Sequence, residues 1–264
     1  VSSLVEAITS DVRVKPLAVS AVTGEGLTAL YEALSVAVVR EERTILQGLV
    51  TEGDTVLLVM PQDASAPKGR LIQPQVQTIR ELLDRRCTVV SCTTEGMPGA
   101  LAALSQPPHL IITDSQVFEA VYKLKPEASR LTSFSVLFAR YKGDITTFVE
   151  GAKALKTLND SSRILIAEAC SHVPQNEDIG RVKLPAMLRK KISAEMQIDV
   201  VGGQEFPQDL TGYDLVIHCG ACMFNSRHVL NRIARARIQD VPITNYGVTI
   251  AALQGILGKV KTDA

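Results

Sequence analysis

The chain has 264 residues, of which 46% are hydrophobic but only 4% aromatic, with no Trp and a formal net charge of zero. That length is comfortable for two domains with a sizeable core. The balanced charge argues against a general nucleic-acid or anionic-membrane binder, which needs excess Lys and Arg to neutralise phosphates. No apolar run approaches the roughly 20 residues needed to cross a bilayer, and the first residues lack a basic-then-apolar signal pattern, so a cytoplasmic protein is expected. Many Val, Ile, Leu and Ala with few aromatics point to layered α/β packing, because parallel strands buried on both faces read as plain aliphatic runs. Five cysteines, an odd number partly gathered in one motif, suit metal ligands and core thiols better than a secreted disulfide framework.

The first residue is Val rather than Met, and the chain is read as a fragment. Residues 14–19 read as a strand and 27–39 as an amphipathic helix, joined by Ser20-Ala-Val-Thr-Gly24-Glu-Gly26. This arrangement resembles the last guanine-recognition segment of small GTPase domains, though any βα unit with a glycine-rich turn has the same outline. The resemblance implies that Ser20 and Ala21 contact a guanine base through their backbone. No G-x-x-x-x-G-K-[ST] run occurs in the sequence, so nothing in it cradles phosphates and no GTP hydrolysis is expected from it.

A second unit follows, with strands expected at 55–60, 87–92 and 110–113 and helices at 75–84, 98–104 and 116–123. Strands spaced by helices predict a right-handed parallel sheet. The last apolar run, 131–139, alternates Phe134, Val136 and Phe138 with Ser133, Ser135 and Leu137. It reads as an edge strand, and an exposed edge invites pairing, so a homodimer across it is expected. Cys87 and Cys92 read as small buried hydrophobes, His109 as structural, and Ala66-Pro-Lys68-Gly-Arg70 as a solvated loop or an anion site ahead of a helix.

The third unit starts near residue 145. Helices are expected at 146–158, 184–193, 226–239 and 246–257, and strands at 163–167, 196–201, 213–217 and 242–244. The fold class is therefore α/β, with two Rossmann-like parallel-sheet units, although neither carries G-x-G-x-x-G in a strand-to-helix turn and NAD is a poor ligand candidate. The strand at 163–167 runs toward Cys170-Ser-His172, and the strand at 213–217 into His218-Cys219-Gly-Ala-Cys222. If the two strands lie parallel in one sheet, three thiols and two imidazoles converge at its carboxyl end. Thiolate is the ligand that iron-sulfur clusters and zinc prefer.

The Cys-x-His segment and the later His-Cys-x-x-Cys, lying downstream of the GTPase-like tail, resemble the FeFe-hydrogenase maturation family HydF. Ala66-Pro-Lys-Gly-Arg70, Pro74-Gln-Val-Gln77 and Asp178-Ile-Gly-Arg181 extend the match along the whole chain. The resemblance implies the tail of a GTPase domain at 1–40, a dimerisation domain at 41–144 and an iron-sulfur cluster domain at 145–264. It places a 4Fe-4S cluster on Cys170, Cys219 and Cys222; the resemblance does not carry over a fourth ligand, for which His172, His218, Glu177, Asp178 and solvent are the candidates. It also implies a scaffold that takes a transient diiron precursor from two radical-SAM maturases and delivers it to apo-hydrogenase, with GTP used only in a missing domain. Arg181, Lys183, Arg189, Lys190, Lys191, Arg227, Arg232, Arg235 and Arg237 could meet an anionic cargo or form a solvated face. His228 reads as a surface residue. Two other classes remain open: a structural zinc module of three Cys and one His, and an open-iron enzyme of the dehydratase type using His172 or His218 as base.

Overall fold

A computed structural model describes residues 5–6, 8–9, 16–37, 43–62, 69–169, 179–203 and 205–259. The chain divides into two compact units, Val1–Arg43 and Thr44–Ala264. In the first, helix α1 (Leu27–Ala37) forms where the apolar spacing predicts it, while residues 16–20 carry no strand assignment. The Ser20 turn closes on itself: Ser20 N–H donates to Glu25 O at 2.9 Å and Ser20 O accepts from Gly24 N–H at 2.9 Å. Gly26 has φ +77, and a Cβ there would sit 2.1 Å from Ala18 O, so only glycine fits the start of α1.

The second unit holds two four-stranded sheets, every strand pair parallel. The first contains β1 (Thr55–Val59), β2 (Thr88–Cys92), β3 (Leu110–Thr113) and β4 (Arg130–Ser133), in the order β2-β1-β3-β4. Its helices are α2 (Gln73–Asp84), α3 (Met97–Ala102), α4 (Phe118–Leu124) and α5 (Phe134–Lys142). The second contains β5 (Arg163–Ala167), β6 (Gln197–Val201), β7 (Leu215–His218) and β8 (Ile243–Asn245), in the order β6-β5-β7-β8. Its helices are α6 (Ile145–Gly151), α7 (Leu184–Lys191), α8 (Ser226–Ile238) and α9 (Tyr246–Leu253). The α/β reading with two parallel-sheet units therefore holds. Successive residues of β1 point to opposite faces: Val56 and Leu58 enter one core cluster, Leu57 and Val59 another.

The two sheets repeat one topology down to the final turn. Ser133 ends β4 and caps α5 by accepting the Val136 N–H, and Asn245 ends β8 and caps α9 by accepting the Val248 N–H. The two helices meet at corresponding positions, where a Cβ on Gly247 would lie 2.6 Å from Ser135 Cβ. Each helix also lends residues to the other sheet. Ala139 of α5 lies in the cluster around β5 and β7, and Ala251 of α9 in the cluster around β1 and β3.

The expected edge strand at 131–139 is corrected here. Only Arg130–Ser133 is strand, and the rest is α5. The alternation was real but incidental: Phe134, Leu137 and Phe138 sit at helical spacing and pack into one cluster, while Val136 points into a second. A helix apolar all round belongs inside the protein, and Phe134, Val136, Leu137, Phe138 and Ala139 are each at most 2% exposed. Pairing through residues 134–139 is therefore not available to a partner chain.

Asp144 caps α6, accepting the Thr147 N–H at 3.0 Å and its hydroxyl at 2.8 Å, with Arg237 at 3.4 Å. Burial opposes its ionisation, but the Thr147 and Arg237 contacts outweigh it and hold the carboxyl below the usual range. Because the folded pKa is depressed, this contribution is full above the unfolded value and is lost as pH falls through the folded one. Asp144→Ala should cost about 1 kcal/mol near neutrality. In urea titrations repeated at descending pH, the gap between wild type and variant should close below pH ~4.

Candidate metal centre

β5 and β7 are immediate neighbours, with Ala167 opposite His218 in the register. The chain runs from β5 to β6 on one side and then to β7 on the other, so the carboxyl ends of β5 and β7 flank the point where strand order reverses. Open α/β sheets bind ligands there. Cys219 lies at that point because it directly follows β7, its N–H donating to Ala167 O at 2.9 Å. Its sulfur accepts two backbone N–H groups, Ala169 at 3.0 Å and Ala221 at 3.4 Å. The second is possible because Ala221 adopts φ +47, turning the backbone back toward the sulfur. Cys222 is half-buried in the same loop.

Cys170 and His172 lie outside the described residues, as do Glu177 and Asp178, but both ends of the segment that carries them are fixed. At one end Ala169 is hydrogen-bonded to Cys219. At the other, Arg181 Nε donates to Glu168 Oε2 at 3.1 Å. Gly180 permits this return, since a Cβ there would lie 2.1 Å from Tyr246 Oη and 2.7 Å from Glu168 Oε1. Ala169 and Arg181, on either side of residues 170–178, thus both lie beside the β5 end. Among the described residues, no group of three His, Cys, Asp or Glu side chains is placed to hold a metal ion.

His218 is fully buried, and burial above all pushes its pKa down to about 3. It is neutral at physiological pH, with Nδ1 2.6 Å from Cys219 O and Nε2 3.1 Å from Arg232 Nη1. The guanidinium can only donate, so Nε2 accepts and Nδ1 carries the proton given to the carbonyl. Both ring nitrogens are engaged, and ligation through Nε2 requires Arg232 to release it. Arg232 also donates to Glu168 O at 3.2 Å and Gly203 O at 2.6 Å, and its guanidinium lies 4.6 Å from the Phe206 ring centroid. One side chain thereby ties together the ends of β5, β6 and β7 under Cys219.

The expected basic face is much reduced. Arg232 is 5% exposed, Arg235 donates to Pro207 O, Arg237 to Thr147, Lys183 to Gln116, and Arg181 pairs with Glu168. Arg189, Lys190, Lys191 and Arg227 stay exposed. His228 is half-buried, not a surface residue, with its ring 4.6 Å from that of Phe224. Away from the site, Cys87 is buried with its thiol pKa raised chiefly by that burial. His109 braces β1, its Nδ1 accepting the Thr55 N–H at 3.0 Å. Residues 63–68 of the glycine-bearing loop lie outside the described residues.

Two family descriptions match the chain: the hydrogen maturase F dimerization domain over residues 45–143 and the hydrogen maturase F tetramerization domain over 146–261. The chain belongs to the HydF family. No curated protein matches it. The cysteine loop and β5 to β8 fall in the HydF tetramerization stretch, and β1 to β4 with α5 in the dimerization stretch. HydF membership places the chain in hydrogenase maturation, and both domains are named for self-association, in keeping with the homodimer expected from sequence. No helix among the described residues is long and apolar enough to cross a membrane. Sequence reasoning missed Glu168 as part of this site and Lys142, whose Nζ donates to Phe224 O at 2.6 Å, and it read Arg232 as facing cargo or solvent where the fold buries it as a brace of the strand ends.

Proposed function

We propose that this HydF chain is a cytoplasmic scaffold and carrier in FeFe-hydrogenase maturation, working as a homodimer and holding a 4Fe-4S cluster on Cys170, Cys219 and Cys222. The observation that carries the reading is the 3.0 Å hydrogen bond from Ala169 N–H to Cys219 Sγ, which brings the residue before Cys170 against one of the other two sulfurs. The donor set suits the group, because backbone N–H bonds to sulfur and a nearby buried cation both favour thiolate. A cubane held by three thiolates leaves one iron open to a ligand from outside. The protein's own residues hold the sulfurs in place, brace them through His218 and Arg232, and anchor the Cys170 segment through Glu168 and Arg181. The cargo in this reading is a diiron precursor, received from two radical-SAM maturases and passed to apo-hydrogenase. The fourth-ligand candidates are His172, Glu177, Asp178, solvent, or His218 once Arg232 has released it. Ser20 and Ala21 would contact guanine only where a complete GTPase domain is present. A dehydratase-type reaction needs a free base beside the cluster, from His172 or His218; both nitrogens of His218 are engaged, which leaves His172 as the residue such a reaction would need.

Anaerobic reconstitution tests the proposal. Wild type should take up about four irons per chain with visible absorption, and Cys170→Ala, Cys219→Ala and Cys222→Ala combined should reduce this to nearly none. A colourless protein with one zinc in place of iron would establish the structural zinc site instead.

A further inference from the structure

The cysteine loop is held from outside its own sheet. It leaves β7 at His218 and enters α8 at Ser226. Two bonds from the last turn of α5 fasten its far end: Lys142 Nζ to Phe224 O at 2.6 Å, and Ser226 Oγ to Tyr141 O at 3.2 Å. Those two donors and acceptors belong to different halves, since α5 closes the dimerization stretch and the loop lies in the tetramerization stretch. The Lys142 ammonium is half-buried, 5.4 Å from the Tyr141 ring centroid, and the carbonyl it holds, Phe224 O, is in the same loop just past Cys222; burial lowers its pKa, and Cys222 opposes that shift. Arg232 stands in the same relation to Cys219. Each cysteine of the His-Cys-x-x-Cys loop therefore has its own cation, one from each half of the molecule.

We propose that Lys142 is a positioning residue of the cysteine site: it straps the Cys222 loop to the dimerization half and sets one fixed positive charge beside that sulfur. The second part rests on the cluster reading above. Three thiolates on a cubane give a net negative site that gains a further charge on reduction, so a fixed ammonium favours the reduced state. The dimerization half thereby supplies both a tether and a charge to a centre it does not otherwise contain. A rearrangement of α5 would be felt at the metal without any contact between metal and partner chain.

Lys142→Met keeps the stem and removes the charge, Lys142→Arg keeps the charge, and Ser226→Ala removes only the neighbouring bond. In metal-free protein, amide hydrogen exchange over residues 221–226 should quicken about tenfold in Lys142→Met and stay near wild type in Lys142→Arg. In reconstituted protein, the reduced-to-oxidised ratio at a fixed potential should fall about tenfold in Lys142→Met, which is about 59 mV for a one-electron couple. Ser226→Ala should quicken exchange and leave the potential where it was. Unchanged exchange in Lys142→Met overturns the strap, and quickened exchange with an unchanged potential overturns the role of the charge. If wild type takes up no iron, it is the cluster reading that fails, and the exchange measurement alone then decides whether Lys142 holds the loop.

Discussion

Replacing Arg232 with methionine should destabilise the metal-free protein by about 3–5 kcal/mol, far more than an exposed arginine on a helix would cost. Methionine can keep the packing against Phe206, so the loss isolates the hydrogen bonds. Without the guanidinium, Glu168 O, Gly203 O and His218 Nε2 lose their donor at once, and the last of these sits on a fully buried ring. Lysine should recover only part of the deficit, because one ammonium cannot span three strand ends as the planar fork does. Urea denaturation with an unchanged slope would attribute the change to the folded state. An unaltered midpoint would mean that Arg232 does not bind the strand ends together in solution.

The second large effect is expected at Gly151, the last residue of α6. A Cβ there would lie 2.0 Å from Ile243 O and 2.6 Å from Ile243 C, both in the backbone of β8. Neither atom can swing aside as a side-chain tip would, so α6 must lift or β8 must shift. β8 pairs with β7 at His218↔Asn245, so a shift also reaches the cysteine crevice. Gly151→Ala should cost about 3 kcal/mol or more, and lower the melting temperature by roughly 6–12 °C for a domain of this size. Gly99 is the control: it lies within α3 with nothing inside 4 Å of an added Cβ. Alanine there should be neutral or stabilise by up to ~1 kcal/mol.

Much of this was readable from local pattern. The aliphatic runs at β5 and β7, each leading toward cysteine and histidine, predicted neighbouring parallel strands, and the register of Ala167 against His218 bears out that pairing. What failed was local pattern that two periods could satisfy. Phe134, Val136 and Phe138 fit a strand, Phe134, Leu137 and Phe138 fit a helix, and the Ser133 cap together with packing on all sides decided for the helix. The braces of the site were unreadable for another reason. Arg232 is one arginine among several on an amphipathic-looking helix, and only the fold brings Gly203, Glu168 and His218 around it. Lys142 likewise meets Phe224 across 82 positions of sequence, a separation at which composition and spacing carry no signal.

The exchange of side chains between the sheets, Ala139 into one interior and Ala251 into the other, has an energetic corollary. Neither half owns a complete interior, so melting one strips apolar cover from its twin, and the pair should behave as a single cooperative transition. Occupancy at the cysteine crevice would then raise the stability of the far sheet by mass action, and whatever braces the far sheet would tighten binding at the crevice in equal measure.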